Sequence, residues 1–458
     1  MKENKVYMAL FTSALSTFIG VLNETSLNVA YPKLASYFKV SLDTVQWVTT
    51  GYLLTVTIMM GATAYLLKQF NARWLSLVSN IAFISGALIC SFSVNFKMLL
   101  LGRIIQGIAT GLATPVMFHI IFTQVPNKLK GLMAGVGGMV ISFAPALGPT
   151  YGGIVVDQTN SWRFIFNYLI ILGIIALILG QIFINTKAFG NDKPFSYGAF
   201  VTLGLSVASL VYASSVMAKG SMLTLMAFII LGLVLGALFV KLNNSGQSRL
   251  FDLGVFKHKT VALATLTYFC LQFINIGIAV VIPLYMQYVL KTSSTTAGSV
   301  LFPGALIGAL LSPLAGTIAD SVGASKPVIT GGIFLLLSSL CFLLLQKQMT
   351  VILITVIYIF LRSGFNLAFS NTINNATSQV EIHNIADINS IFNVTQQFAG
   401  SLGVSILTGI MAMHQAHGQA GFVQNSYEGG QADFILVAIL AGIALVAMIT
   451  NYSLQKKA

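Results

Sequence analysis

Apolar runs of about twenty residues, the length a helix needs to cross the hydrocarbon core of a bilayer, recur from Val6 to Tyr452 with only short polar breaks. That pattern leaves few folds open. In lipid every backbone N–H and C=O must be satisfied inside the segment or against a neighbour, so the runs read as helices. They are expected at about 6–31, 44–67, 74–94, 97–122, 131–156, 163–185, 196–217 and 221–241, and then at 260–289, 296–319, 327–346, 349–372, 386–412 and 433–453. The expected fold class is therefore an all-α integral membrane protein with 14 transmembrane helices. Of 458 residues 56% are hydrophobic and 8% charged, where soluble domains carry roughly a quarter charged residues. The first run follows Lys2 and Lys5 as a signal peptide would, but it is too long and no small-residue cleavage site follows, so it reads as a retained helix.

The net charge of +13 does not point to nucleic acid, because Lys and Arg form no basic tail or amphipathic face. Alternate loops differ instead. Fifteen basic side chains fall on the side of the termini and seven on the other, which by the positive-inside rule puts both termini in the cytoplasm. The remaining two, Arg103 and Arg362, lie within the fourth and twelfth helices. A charge at mid-bilayer costs roughly 2.5–3.5 kcal/mol on insertion scales, so each should face a bundle interior or a wet cavity. Among the acids, Asp320 and Asp433 fall at helix ends and only Glu24 lies deep. Cys90, Cys270 and Cys341 sit in apolar runs without metal-ligand spacing. No nucleophile, base and orienting group stand at recognisable spacing, and no phosphate-binding loop follows a strand, so neither an enzyme nor a cofactor or metal is expected.

Polar residues at helical spacing mark four faces that should avoid lipid. The first helix carries Thr17, Gly20, Glu24, Asn28 and Tyr31, with Asn23 beside the acid; the fourth carries Arg103, Gln106, Gly107, Thr110 and Thr114. The ninth has Tyr268, Gln272 and Asn275, and the twelfth Arg362, Asn366 and Ser370. Glu24 and Arg103 both lie roughly 10 Å below the outer ends of their helices at 1.5 Å per residue, so they are expected to pair or exchange partners. The separation of such a pair sets how readily the carboxylate holds a proton. A fixed structural ion pair is the alternative. In the fifth helix, Pro145, Gly148, Pro149, Gly152 and Gly153 suit a segment that packs closely and bends.

Several of these segments resemble the major facilitator superfamily, specifically its fourteen-helix drug:proton antiporter branch of the EmrB/QacA type. Gly148-Pro149-Thr150-Tyr151-Gly152-Gly153 is similar to that branch's antiporter motif, Leu99 through Gly107 to its fourth-helix motif, and Asn28 through Pro32 to the end of its first-helix signature. Gly316 through Gly323 resembles the cytoplasmic loop motif, whose acid, here Asp320, would act as a gate. The acid of the first-helix signature stands one residue along, at Glu24, with Asn23 in its usual place. The resemblance implies a major facilitator fold: a six-helix bundle over 1–186, helices 7 and 8 inserted over 187–259, and a second six-helix bundle over 260–458.

The function expected from this is export of lipophilic cationic or zwitterionic drugs in exchange for protons, by a monomer in a bacterial cell membrane. Sodium coupling, or export of a specific metabolite, peptide or lipid, is the alternative. A sensor or assembly protein would need a module larger than the longest loops, near 241–259 and 413–432.

Overall fold

A computed structural model describes residues 2–126, 129–185, 195–216, 222–245, 249–380 and 385–457. Fourteen long helices occur among them: α1 (Lys2–Ser26), α2 (Trp47–Gln69), α3 (Ala72–Ser91), α4 (Phe96–Gln124), α5 (Lys130–Thr159), α6 (Arg163–Phe183) and α7 (Tyr197–Val216). They continue as α8 (Met222–Ser245), α9 (Lys259–Tyr288), α10 (Leu301–Val322), α11 (Ser325–Leu344), α12 (Val351–Thr377), α13 (Ile385–His417) and α14 (Phe422–Lys457). No strand is found among the described residues. Among the described residues twelve spans, not fourteen, are both long and apolar enough to cross a membrane. The two long helices outside that group are α2 and α13, the latter carrying many polar side chains.

Two boundaries differ from expectation in ways that matter. The first apolar run does not end near residue 31: α1 gives way to a 3-10 turn at Asn28–Ala30, and a further helix, Tyr31–Phe38, starts with Pro32 in its first turn. Proline is tolerated there because the first N–H groups of a helix have no internal acceptor. At the other end α14 begins at Phe422, so most of the expected loop before residue 433 is helical. Asp433 is thus inside a helix and wholly buried, which corrects the expectation that Glu24 is the sole deep acid.

Helices α1–α6 pack on one another, and α9–α14 repeat the scheme: α1 lies on α5 as α9 lies on α13, and α3 lies on α4 as α11 lies on α12. Small residues allow both close approaches. A Cβ at Gly102 would meet Gly86 O at 2.7 Å, and one at Gly364 would meet Gly331 O at 2.6 Å. With no hydrophobic force between helices in lipid, such backbone-level contact is a main source of their association. The pair α7 and α8 stands to one side. Helix α7 touches α2 and α13, with Ser214 Oγ donating to Ser405 Oγ at 2.8 Å, while α8 packs on α7 and leaves residues such as Leu223 and Leu233 exposed.

The two halves meet firmly at the end far from the N-terminus, called distal below. Gln287 Nε2 donates to Val29 O at 3.0 Å, Thr150 Oγ1 to Gly298 O at 3.2 Å, and the Thr295 amide to Asp157 Oδ2 at 2.7 Å. Thr408 donates to Gln46 Oε1 at the same end. Toward the other end a Cβ added at Gly138 of α5 or Gly316 of α10 would meet no atom within 4 Å. The molecule is closed distally.

Candidate functional site: a cavity between the halves

Below the distal closure lies a cavity whose two walls differ in chemistry. Val21, Glu24 and Thr25 of α1, Met60 of α2, Thr114 of α4 and Ile141, Pro145 and Ala146 of α5 form one wall. It is mostly apolar. The hydroxyl of Thr25 is taken up by Pro145 O at 2.8 Å, which leaves the Glu24 carboxylate as its charged group. The facing wall is made by α9, α12 and α13 and carries Arg362 with five carboxamides, Gln272, Asn275, Asn393, Gln396 and Gln397. Tyr358, Phe365 and Phe369 supply aromatic surface between them.

Glu24 is 4% exposed, and its Oε2 has no hydrogen-bond partner. The expected pairing with Arg103 takes a different form. The Arg103 guanidinium donates to three backbone carbonyls, Val48 O at 3.0 Å, Asn23 O at 3.1 Å and Glu24 O at 3.3 Å, and to Gln106 Oε1 at 3.2 Å. It also lies over the Tyr52 ring, 4.2 Å from its centroid. No ion pair joins the two side chains among the described residues. Carbonyls hold Arg103 because the 3-10 turn after Ser26 ends the regular ladder of α1, so the oxygens of its last turn need donors from outside. One residue turns a helix by about 100°; Asn23 therefore faces the bundle interior, fully buried, while Glu24 faces the cavity.

The other expected lining residues divide. Gln272, Asn275 and Arg362 line the cavity, as does Pro145 of the glycine-proline segment. Asn23, Asn28, Gln106, Thr110, Tyr268 and Asn366 do not. Asn28 accepts from Thr49 at 3.0 Å, Thr110 bonds Tyr52 and fills the space beside Gly20, and Asn366 donates to Arg362 O at 2.9 Å. Tyr268 reaches the cavity only indirectly, through its hydroxyl on Gln396 Oε1 at 3.0 Å. A helix stripe is broader than the part of it that neighbours leave uncovered, which is why these six are buried between helices. Gly148, Gly152 and Gly153 seat α5: the first two abut Leu22 O and Ser26 O of α1, and the third abuts Ser294 O of the opposite half; Pro149 O presses on Gly298. Asp320 is in α10, and its side chain lies outside the described residues.

Sequence reading missed Asn393, Gln396 and Gln397 as cavity residues, although their spacing on α13 continues through Gly400 and Ser401 as a polar helical face. Arg362 proves better placed than Arg103. Its Nη1 donates to Asn275 Oδ1, it stacks on Phe365 at 5.0 Å, and its buried Nε has no partner.

Two helical bundles around a cavity that is closed at one end define a membrane transporter architecture. The chain belongs to the Major Facilitator Superfamily, whose sequence pattern matches residues 13–404; this is a family of transporters rather than enzymes. It is 31% identical to the lincomycin resistance protein LmrB of Listeria innocua over 94% of this chain and 90% of that one. It is 26% identical to a multidrug resistance protein B homologue of Mycobacterium tuberculosis over 88% and 76% of the two chains. Among solved structures, a peptide transporter of the POT family in complex with sulfate superimposes with a TM-score of 0.72 at 14% identity, covering 99% of this chain and 94% of that one. At that identity the likeness concerns the fold.

Proposed function

We propose that this protein exports lipophilic cationic or zwitterionic drugs from bacteria in exchange for protons, by alternating exposure of the cavity to the two sides of the membrane. The observation that carries this reading is Glu24, an unpaired carboxylate on an otherwise mostly apolar cavity wall. A bound cation and a proton compete for such a group, and that competition couples the two fluxes: drug is released when the carboxylate is protonated and bound again when the proton leaves. Arg103, held on the carbonyls of Asn23 and Glu24, positions that turn of α1. The names of the relatives, lincomycin and multidrug resistance proteins, support the substrate class.

In this reading α2 and α13 also cross the bilayer, giving fourteen spans, and the termini are cytoplasmic. The distal closure then faces outward. The six-helix bundles correspond to 1–186 and 260–458, and 187–259 forms the inserted pair; the working unit is the monomer, and the Asp320 segment gates the cytoplasmic side. The test is efflux of a fluorescent cation from proteoliposomes under separate proton, sodium and voltage gradients. Wild-type protein should drive uphill efflux with a pH gradient, at about 1.4 kcal/mol per pH unit for one proton, and Glu24→Gln should abolish it. Uphill efflux by the Gln variant would overturn the coupling role, and efflux driven by sodium alone would replace the proton.

A further inference from the structure

The two charges of the cavity, Glu24 and Arg362, stand on opposite walls and form no ion pair with each other or with any other group among the described residues. A buried charge without an ion-pair partner is costly, so each wall favours a ligand that brings the opposite charge. The hydrogen-bond pattern sharpens what the Arg362 wall lacks. A guanidinium can only donate, so its bond to Asn275 fixes Oδ1 of that amide as acceptor and turns Nδ2 away, toward Gln272 Oε1 at 3.4 Å. Gln272 lines the cavity beside Asn275, and both amide oxygens thus already accept a hydrogen bond. Gln396 is in the same position, because Tyr268 donates to its Oε1. The buried Nε of Arg362 has no partner and adds a further donor on this side, with Gln397 Oε1 and Asn366 Oδ1 as unpartnered acceptors near it.

We propose that Arg362, with Gln272 and Gln396, forms a subsite for an anionic group, so that the cavity prefers zwitterionic amphiphiles over simple cations: the ligand's cationic group lies against Glu24, its anionic group against Arg362, and its apolar body against Phe365 and Phe369. This rests on the export reading and names what the same cavity selects. A plain cation meets one complementary and one opposing charge. A zwitterion satisfies both walls, and an aromatic body suits the Phe365 and Phe369 surface beside Arg362. Arg103 cannot take this role, since its donors are already committed to carbonyls and Gln106.

The test compares an aminorhodamine bearing a free carboxylate with its methyl ester, which differs only in masking the anion. Binding to the full-length protein in lipid nanodiscs is followed by fluorescence polarisation. Wild-type protein should bind the zwitterion about tenfold more tightly, equivalent to about 1.4 kcal/mol. Arg362→Gln should bring the two affinities together, and Arg362→Lys should keep part of the preference, because an ammonium retains the charge without the planar fork. The comparison on wild-type protein stands even where a variant fails to fold. Equal or tighter binding of the ester by wild type, absence of saturable zwitterion binding, or a preference that survives in Arg362→Gln overturns the subsite. Proton-driven efflux of the ester that Glu24→Gln abolishes would preserve the export reading while the subsite falls. Zwitterion preference in binding without proton-driven flux would do the reverse.

Discussion

Arg103 and Arg362 are both buried guanidiniums on cavity-facing helices, yet their partners assign them different work. Arg103 is spent on three carbonyls and a carboxamide, so it fastens α1, α2 and α4 together at the level of Glu24. Hydrogen bonds to a charged group are worth about 1.5–3 kcal/mol each, and Lys cannot reproduce a planar fork. Arg103→Lys should therefore destabilise the protein by about 2–4 kcal/mol, seen as a lower Tm in detergent, whereas Arg362→Lys should change ligand preference more than Tm. Asp433 offers the opposite case. It is fully buried in α14 and neither carboxylate oxygen has a partner, so a charge there is unfavourable and Asp433→Asn should raise the Tm at neutral pH. An unchanged or lower Tm would mean that the acid is neutral or partnered in the membrane.

At the scale of elements, α5 decides how the halves meet. Its glycines do not loosen the helix; they let its backbone touch α1 on one side and the start of the second half on the other. A Cβ at Gly152 would collide with Ser26 O, and one at Gly298 with Pro149 O. Gly152→Ala should push α5 off α1 and disfavour the distal closure, lengthening the distance between spin labels at Lys39 and Lys291. Labels at the same positions in Gly138→Ala, where no atom lies within 4 Å of the added carbon, should show the distribution of the parent protein. Motif spacing made the close packing of α5 legible. Its partners were not, because glycine periodicity shows that a neighbour comes near without showing which one.

On the scale of the whole molecule, one packing scheme repeats in α1–α6 and α9–α14, and among the described residues α7 and α8 contribute none of the cavity lining. Crossing by α2 and α13 has a direct test. Single cysteines at Lys39 and Arg73 bracket α2, and those at Gln379 and His417 bracket α13; in the fourteen-span arrangement an impermeant thiol reagent on intact cells should label Lys39 and His417 but not Arg73 or Gln379. Labelling of both members of a pair would mean that the helix between them does not cross.

The apolar runs, the basic loops and the deep placement of Glu24, Arg103 and Arg362 are properties of the chain read in order, so the sequence by itself determined that the protein is a many-helix membrane protein and which helices have a polar side. It also placed the glycine-proline segment. What lies three or four residues away along a helix is fixed by its period, but what lies across from a side chain depends on the neighbours' backbones. Only the tertiary structure could decide that Glu24 faces the cavity and Asn23 does not, that Arg103 is held by carbonyls freed at the end of α1, and that Arg362 is the guanidinium left with a donor to offer. A turn of about 100° per residue separates these outcomes, and helix packing sets that angle.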